Sequence, residues 1–174
     1  MKKAFILILF IITGFAACKK DVNDPAYDKS YKAWQNFKAE SKNSYTYTVT
    51  SGSVFGFGSE TKITVEKGAV TARDYYSYRL EYQQGSNVPP TKKTLELWHE
   101  DKAAIGQHSS GALAITLEEV YKKAKNEWLS ADKSKNTVYF ENKNNGMISM
   151  AVYVPNGCQD DCSIGIHISE IKAL

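Results

Sequence analysis

Three histidines are the side chains of this sequence best suited to acid–base or metal chemistry. His99 and Glu100 begin like a zinc-protease motif, but the next histidine is His108 rather than a residue three positions after the glutamate. One face of a helix would not present both histidines at that spacing. His167 alternates with isoleucines and is predicted to lie on the polar face of a strand. No histidine has a partner that the sequence itself fixes.

Motifs for nucleophilic catalysis and phosphate binding are absent from the sequence. It has no G-x-S-x-G elbow, no S-x-x-K of the penicillin-interacting kind and no phosphate-binding glycine loop. Gly56-Phe57-Gly58 lacks the third glycine and the helix start that a dinucleotide site needs. Asp160-Asp161 has oxygen ligands for calcium, but one acidic pair in a turn is usually solvated. We therefore predict no catalytic residue, no metal site and no cofactor.

The cysteines divide into a pair and a single residue. Cys158 and Cys162 sit between two strand-like runs, and in an oxidising compartment this arrangement favours a small loop disulfide. A metal site would need more ligands than two sulfurs and His167 supply. A redox-catalytic site is a weaker alternative, because the spacing is C-x-x-x-C and no helix start follows. The third cysteine, Cys18, belongs to a different motif.

The N-terminus has the layout of a secretory signal. Lys2 and Lys3 precede an apolar run that is too short to span a membrane, and small residues precede Cys18. This order resembles the bacterial lipobox, whose cysteine becomes the acylated N-terminus, although Phe15 stands where the commonest pattern has leucine. The alternatives are a plain signal peptide and an uncleaved anchor. We predict a signal peptide over residues 1–17 and a lipidated tether over 18–24.

The residues after the cysteine bear on sorting. Lys19 follows Cys18 in place of the aspartate that favours the inner membrane, so we expect an outer-membrane lipoprotein. The following run of lysine and acidic residues partly resembles a surface-export tag, so both the periplasmic face and the cell surface remain open. Acyl chains on Cys18 would hold the protein firmly at the membrane, since each buried methylene adds about 0.8 kcal/mol.

Composition excludes several other classes of protein. The chain is 43% hydrophobic and 24% charged, which is typical of a globular protein. Its net charge is +3, and without residues 1–17 it is +1. A charge this small excludes a basic nucleic-acid binder, and we expect no nucleic-acid partner. The composition also excludes a polytopic membrane protein and a disulfide-dense miniprotein.

Periodicity predicts one α+β domain over residues 25–174, in halves at about 25–99 and 115–174 that each place a helix before hairpins. Asp24-Pro25 is a helix start, and the helix is predicted to end near Glu40. Thr116 and Glu119 form a capping box for the second helix. Alternating runs predict strands at 44–50, 61–66, 69–82, 94–99, 137–142, 147–155 and 163–172, with 52–58 a flexible connection. Adjacent hairpins favour an antiparallel sheet with two helices on one face.

Aromatic content is the unusual feature of the sequence, with 11 Tyr, 7 Phe and 3 Trp. Their alternation matches core strands, which predicts packing beneath a helix. The functional alternative is an aromatic patch made by Phe55, Phe57 and Tyr75, with Tyr75 on the opposite face of its strand from Tyr76. Such a patch would bind a peptide, a protein loop or a glycan ring.

The order of short motifs resembles one family. Its first half is matched by Trp34, Ser44-Tyr45-Thr46-Tyr47 and the run over 61–70, and its second half by the run over 116–121, Cys158 to Gly165 and Ile168 to Ile171. This order is similar to the uncharacterised bacterial envelope family called domain of unknown function 6174. The resemblance covers most of residues 30–172 and implies a small exported or lipid-anchored protein. Many members carry a Cys-x-Cys segment where this chain has Phe55-Gly56-Phe57-Gly58, so no role of that pair transfers.

These observations favour a non-enzymatic binding module anchored in the cell envelope. Its partners are expected to be the membrane, through the lipid on Cys18, and a protein or glycan ligand. One alternative is an envelope hydrolase whose site assembles only on folding. It would require His99, His108, Glu100 or Asp160 to converge in a concave pocket. The other alternative is a structural lipoprotein of outer-membrane assembly.

Overall fold

Two helices and seven strands make up the described part of the chain. The computed structural model describes residues 24–83, 85 and 88–174. The elements, in chain order, are α1 (Pro25–Glu40), β1 (Tyr45–Gly52), β2 (Phe57–Glu66), β3 (Ala69–Glu81), β4 (Thr91–Asp101), α2 (Leu117–Lys123), β5 (Asn136–Glu141), β6 (Met150–Pro155) and β7 (Ile164–Ala173). A π-helical turn over Ala124–Trp128 continues α2. The predicted helix starts at Pro25 and at the Thr116 capping box are both confirmed.

The strands form one antiparallel sheet in the order β4-β3-β2-β1-β7-β6-β5, and the sheet is not closed. Strands β1 to β4 form one wing and β5 to β7 form the other, so the two wings meet where β1 pairs with β7. Helix α1 precedes the first wing in the chain and α2 precedes the second. Both helices pack on the same face of the sheet. The predicted α+β class is therefore confirmed.

The core lies between this face of the sheet and the two helices. Because side chains alternate along a strand, Tyr45 and Tyr47 of β1 share the inward face, and both are fully buried. Trp34 of α1 covers Tyr45 at 5.1 Å between ring centroids. The aromatic residues at these positions pack beneath a helix, as the alternation predicts.

Two side chains of α2, those of Tyr121 and Glu118, make hydrogen bonds to α1. The buried hydroxyl of Tyr121 donates to the Ser30 carbonyl at 3.1 Å and accepts from the Ile148 backbone N–H at 2.9 Å. Burial raises the pKa of Tyr121 to about 12, so its hydroxyl stays neutral. Burial also raises the pKa of Glu118, but hydrogen bonds from Lys38 and from two aromatic side chains of α1 outweigh this and lower it to about 2.

The predicted connection over 52–58 is shorter in the structure, where only residues 53–56 lie between β1 and β2. Ser53 donates its N–H to the Phe57 carbonyl at 2.8 Å, and Gly56 donates to the Ser53 carbonyl at 3.0 Å. These bonds close a tight hairpin turn, and the positive φ of 82° at Gly56 suits a glycine there. Strand β2 consequently begins at Phe57 rather than at residue 61.

Candidate functional site

A groove lies on the helix-bearing face of the sheet, at the end that the helices leave uncovered. It consists of two adjoining cavities of about 750 and 300 Å³ that share Ser51, Gly52 and Ser59. We call it the serine groove, since small hydroxyl side chains form its floor. The hydroxyl side chains on the helix-bearing face are those of Ser51, Ser59, Thr61 and Ser77, and Thr50, Ser53 and Ser163 also line the cavities. A cavity of this size falls in the range of small-ligand sites.

Aromatic side chains form one wall of the serine groove. Phe57, which is 48% exposed, and Tyr75, which is 9% exposed, both line the smaller cavity. Tyr75 stacks on Trp98 at 5.1 Å, and Trp98 stacks on His108 at 4.4 Å. The structure thus brings together two of the three residues of the predicted aromatic patch.

The third residue of that patch lies elsewhere. Phe55 is in the turn between β1 and β2, with 74% of its surface exposed, and it lines neither cavity of the groove. A ligand in the groove would meet Phe57 and Tyr75 directly. Its contact with Phe55 remains a prediction that would require a ligand extending past the turn.

The loop over residues 102–115 forms a second wall. Gly111 lies so close to the sheet that a Cβ there would be 2.9 Å from Tyr75 Cδ2 and 3.0 Å from Thr61 Oγ1. Its φ of 82° also favours glycine. The next residue, Ala112, donates its N–H to Thr61 Oγ1 at 3.0 Å. The loop therefore rests directly on the floor of the groove.

A buried ion pair holds this loop in place. Arg73 donates to both carboxylate oxygens of Glu100, at 2.9 and 3.0 Å, and the Glu100 side chain is fully buried. Arg73 also donates to the carbonyls of Ala112 and His108, at 2.9 and 2.7 Å. Glu100 in turn accepts from the N–H groups of Gly106 and His108. The hydrogen bonds from Arg73 and from these loop groups hold the pKa of Glu100 well below its usual range, although burial opposes them.

The disulfide loop forms a third wall. Cys158 and Cys162 are joined, which confirms the predicted disulfide. Asp161 lines the smaller cavity and Ser163 lines the larger one. The disulfide closes a short turn between β6 and β7 and thereby positions these two side chains beside the groove.

The four residues named for a hydrolase, His99, Glu100, His108 and Asp160, line neither cavity of the serine groove. His99 lies on the opposite face of the sheet and contacts Asp74 at 2.7 Å. Glu100 contacts His108 at 3.1 Å, but Glu100 is fully buried and already occupied by Arg73 and the loop. Asp160 belongs to the disulfide turn. Among the described residues, no group of three or more His, Cys, Asp and Glu side chains is placed to hold a metal ion.

The expectation that the aromatic residues pack beneath a helix is wrong for part of β3. Tyr76 and Tyr78 lie on the face without helices, opposite in direction to Arg73 and Tyr75. The Tyr78 ring covers Gly58, where a Cβ would be 2.5 Å from the ring. Arg73 and Tyr75 occupy the alternate positions of β3 and share the face that the helices cover. Alternation groups Arg73 with Tyr75, but it does not tell which of the two faces is inward.

Comparisons with family models, with curated proteins and with solved structures found no match. The resemblance to the envelope family therefore stays a prediction. The predicted anchor residue Cys18 and the signal peptide lie outside the described residues. Within the described part of the chain, no helix combines the length and the apolar character needed to cross a membrane.

Proposed function

We propose that this protein is a lipid-anchored envelope protein that binds a ligand in the serine groove and does not transform it. The observation that carries the proposal is the groove itself, an open site of two adjoining cavities with a hydroxyl floor and an aromatic wall. Serine and threonine hydroxyls both donate and accept hydrogen bonds, so they suit a polar ligand. Aromatic side chains add apolar contact area, which suits a protein segment or a glycan.

The charges around the groove favour an uncharged ligand. Apart from tyrosine, the ionisable side chains that line its two cavities are Asp161 and His167. The lining therefore holds one acidic residue and one histidine, and neither cavity is lined by a cluster of like charges. Arg73, which lies behind the loop wall, is neutralised by Glu100. Hydrogen bonding and stacking, rather than charge, would therefore select the ligand.

The anchor would place this groove close to the membrane. The predicted tether, residues 18–24, has seven residues and would span at most roughly 25 Å when extended. Helix α1 begins directly after it at Pro25. The resemblance to an envelope family supports this placement, and a role in outer-membrane assembly stays an alternative for the partner.

Filling the groove is the direct test of the proposed function. Ser59 lies on the floor of both cavities, so Ser59→Trp should weaken binding about tenfold or more by occupying the ligand's space. The full chain would be screened against a glycan array and a phage-displayed peptide library, and the best binder of each would be titrated. Lys62→Trp is the matched control, because it is on the same strand and the opposite face.

Equal affinity of the wild type and Ser59→Trp would contradict the proposal, and so would a failure of both screens to yield a binder. Unchanged affinity in Lys62→Trp together with a loss in Ser59→Trp would support it. The melting temperature of each variant shows whether a loss of binding reflects a loss of folding.

The anchor is tested by Cys18→Ser. We expect the wild type in the membrane fraction and the variant in the soluble fraction, because the variant has no thiol to acylate. Quantitative blotting of the two fractions measures this, and mass spectrometry of the wild-type N-terminus should find acyl groups. A variant that stays with the membrane would refute the lipobox interpretation.

A further inference from the structure

Strands β1 and β7 pair along only part of their length. Their register runs from Tyr45 opposite Ala173 to Val49 opposite Ile168, and there the ladder stops. Both strands continue beyond this point, β1 to Gly52 and β7 back to Ile164. The two wings of the sheet separate here.

The free end of β1 directs backbone groups toward the gap. The hydrogen bond from the Ser53 N–H to the Phe57 carbonyl marks these two residues as a bonded pair of β1 and β2. Bonded and non-bonded pairs alternate in an antiparallel ladder. Gly52 and Thr50 are therefore in non-bonded pairs with β2, and their N–H and C=O groups point away from β2 toward β7.

The free end of β7 does the same from the other side. Ile168 donates its N–H to the Ser149 carbonyl at 2.7 Å, so its backbone faces the β6 side. By the same alternation, the backbone groups of His167 and Gly165 face β1. Had the ladder continued in register, Thr50 would lie opposite His167 and Gly52 opposite Gly165.

These four residues line the larger cavity of the serine groove, whose volume is about 750 Å³. We call this part of the groove the β1–β7 cleft. A further cavity of about 340 Å³ on the opposite face of the sheet shares Thr50 and His167 with it. Within residues 24–83, 85 and 88–174, no other strand pairs with either of these two edges.

We propose that the β1–β7 cleft takes an extended, uncharged peptide segment of a partner protein, which adds to the edge of β1 as a further strand. This inference rests on the proposed function and names its ligand class. Gly52 and Thr50 present backbone donors and acceptors at the two-residue repeat of an extended chain, about 7 Å. A peptide backbone matches that repeat, whereas a glycan does not. Pairing of this kind is a general mode of peptide recognition at open sheet edges.

The side chains around the cleft agree with a peptide of small, neutral residues. Gly52, Gly111, Ala112 and Gly165 leave space beside the free edges. Among the described residues, His167 is the one ionisable residue that lines the larger cavity. The peptide's side chains on the helix-bearing face would meet the hydroxyls of Ser51 and its neighbours on the groove floor.

Removing one N–H from the edge tests the pairing. A phage-displayed heptapeptide library would be selected on the full chain, and the best peptide synthesised and titrated by fluorescence anisotropy. Gly52→Pro removes the N–H that faces the cleft and should weaken binding about tenfold. Gly52→Ala is the matched control, because it keeps the N–H and its Cβ would lie 4.0 Å from the Phe57 carbonyl oxygen. Equal affinity of the two variants would overturn the inference.

Backbone N-methylation of the selected peptide tests the same claim without changing the protein. Methyl groups at alternate positions should abolish binding and those between them should be tolerated, because alternate residues of a strand face one edge. Uniform tolerance would overturn the inference. A glycan that binds the wild type and not Ser59→Trp, with no peptide selected, would overturn it too while leaving the proposed function intact.

Discussion

Trp34→Ala is expected to lower the free energy of unfolding by about 3–5 kcal/mol, which is the usual cost of deleting a buried tryptophan. Trp34 has no exposed surface. Its ring packs edge-on against Tyr45 at 5.1 Å and stacks on Tyr121 at 6.3 Å, so it joins α1 to both β1 and α2. Its Nε1–H also donates to Glu118 at 3.3 Å. Both the helix-to-sheet and the helix-to-helix contacts would be lost together.

Urea unfolding followed by circular dichroism measures this change. Phe55→Ala is the matched control, since it deletes a large aromatic side chain that is 74% exposed and should change stability by no more than about 0.5 kcal/mol. If the two variants were equally stable, α1 would not pack on the sheet as described.

Glu100→Gln is expected to lower the melting temperature by roughly 10 °C or more, because it leaves the buried Arg73 charge without its counter-ion. The glutamine would also offer only one acceptor oxygen to the donors that now share two carboxylate oxygens. Glu96→Gln, on the same strand but exposed, is the control and should shift the melting temperature by about 2 °C at most. Similar shifts in both variants would contradict the role of the pair.

The same substitution should alter the response of stability to acid. The pKa of Glu100 is depressed in the folded state from its ordinary value of 4.5, so its ionised form contributes stability above that pH. This contribution falls as the pH drops below 4.5 toward the folded pKa. The difference in melting temperature between the wild type and Glu100→Gln should therefore be full at pH 7 and smaller at pH 3. A difference that does not depend on pH would show that Glu100 is not ionised in the folded protein.

The sequence was sufficient for the elements whose signals are local. Asp24-Pro25 and the helical spacing of Tyr27, Tyr31 and Trp34 predicted α1 with its start at Pro25, because capping and periodicity act within a few residues. Thr116 and Glu119 predicted the second helix for the same reason. The Cys158–Cys162 disulfide was also predictable from its short spacing and context.

The groove was not predictable, since it depends on residues far apart in the chain. Arg73 and Glu100 are 27 positions apart and meet only because β3 and β4 pair in one particular register. The separation of β1 from β7 depends on where a ladder ends, and side-chain periodicity does not encode that end. The sequence predicts a patch that includes Phe57 and Tyr75. It does not predict the tight turn at Gly56, after which β2 runs along the groove.

Amide hydrogen exchange of the full chain, with and without the best selected binder, tests the binding site most directly. We predict slower exchange with ligand along the groove, at residues 49–61 and 163–167, and unchanged exchange in β5 at the far edge of the sheet. Protection confined to the opposite face, around Asp74 and His99, with no change along the groove, would contradict the account.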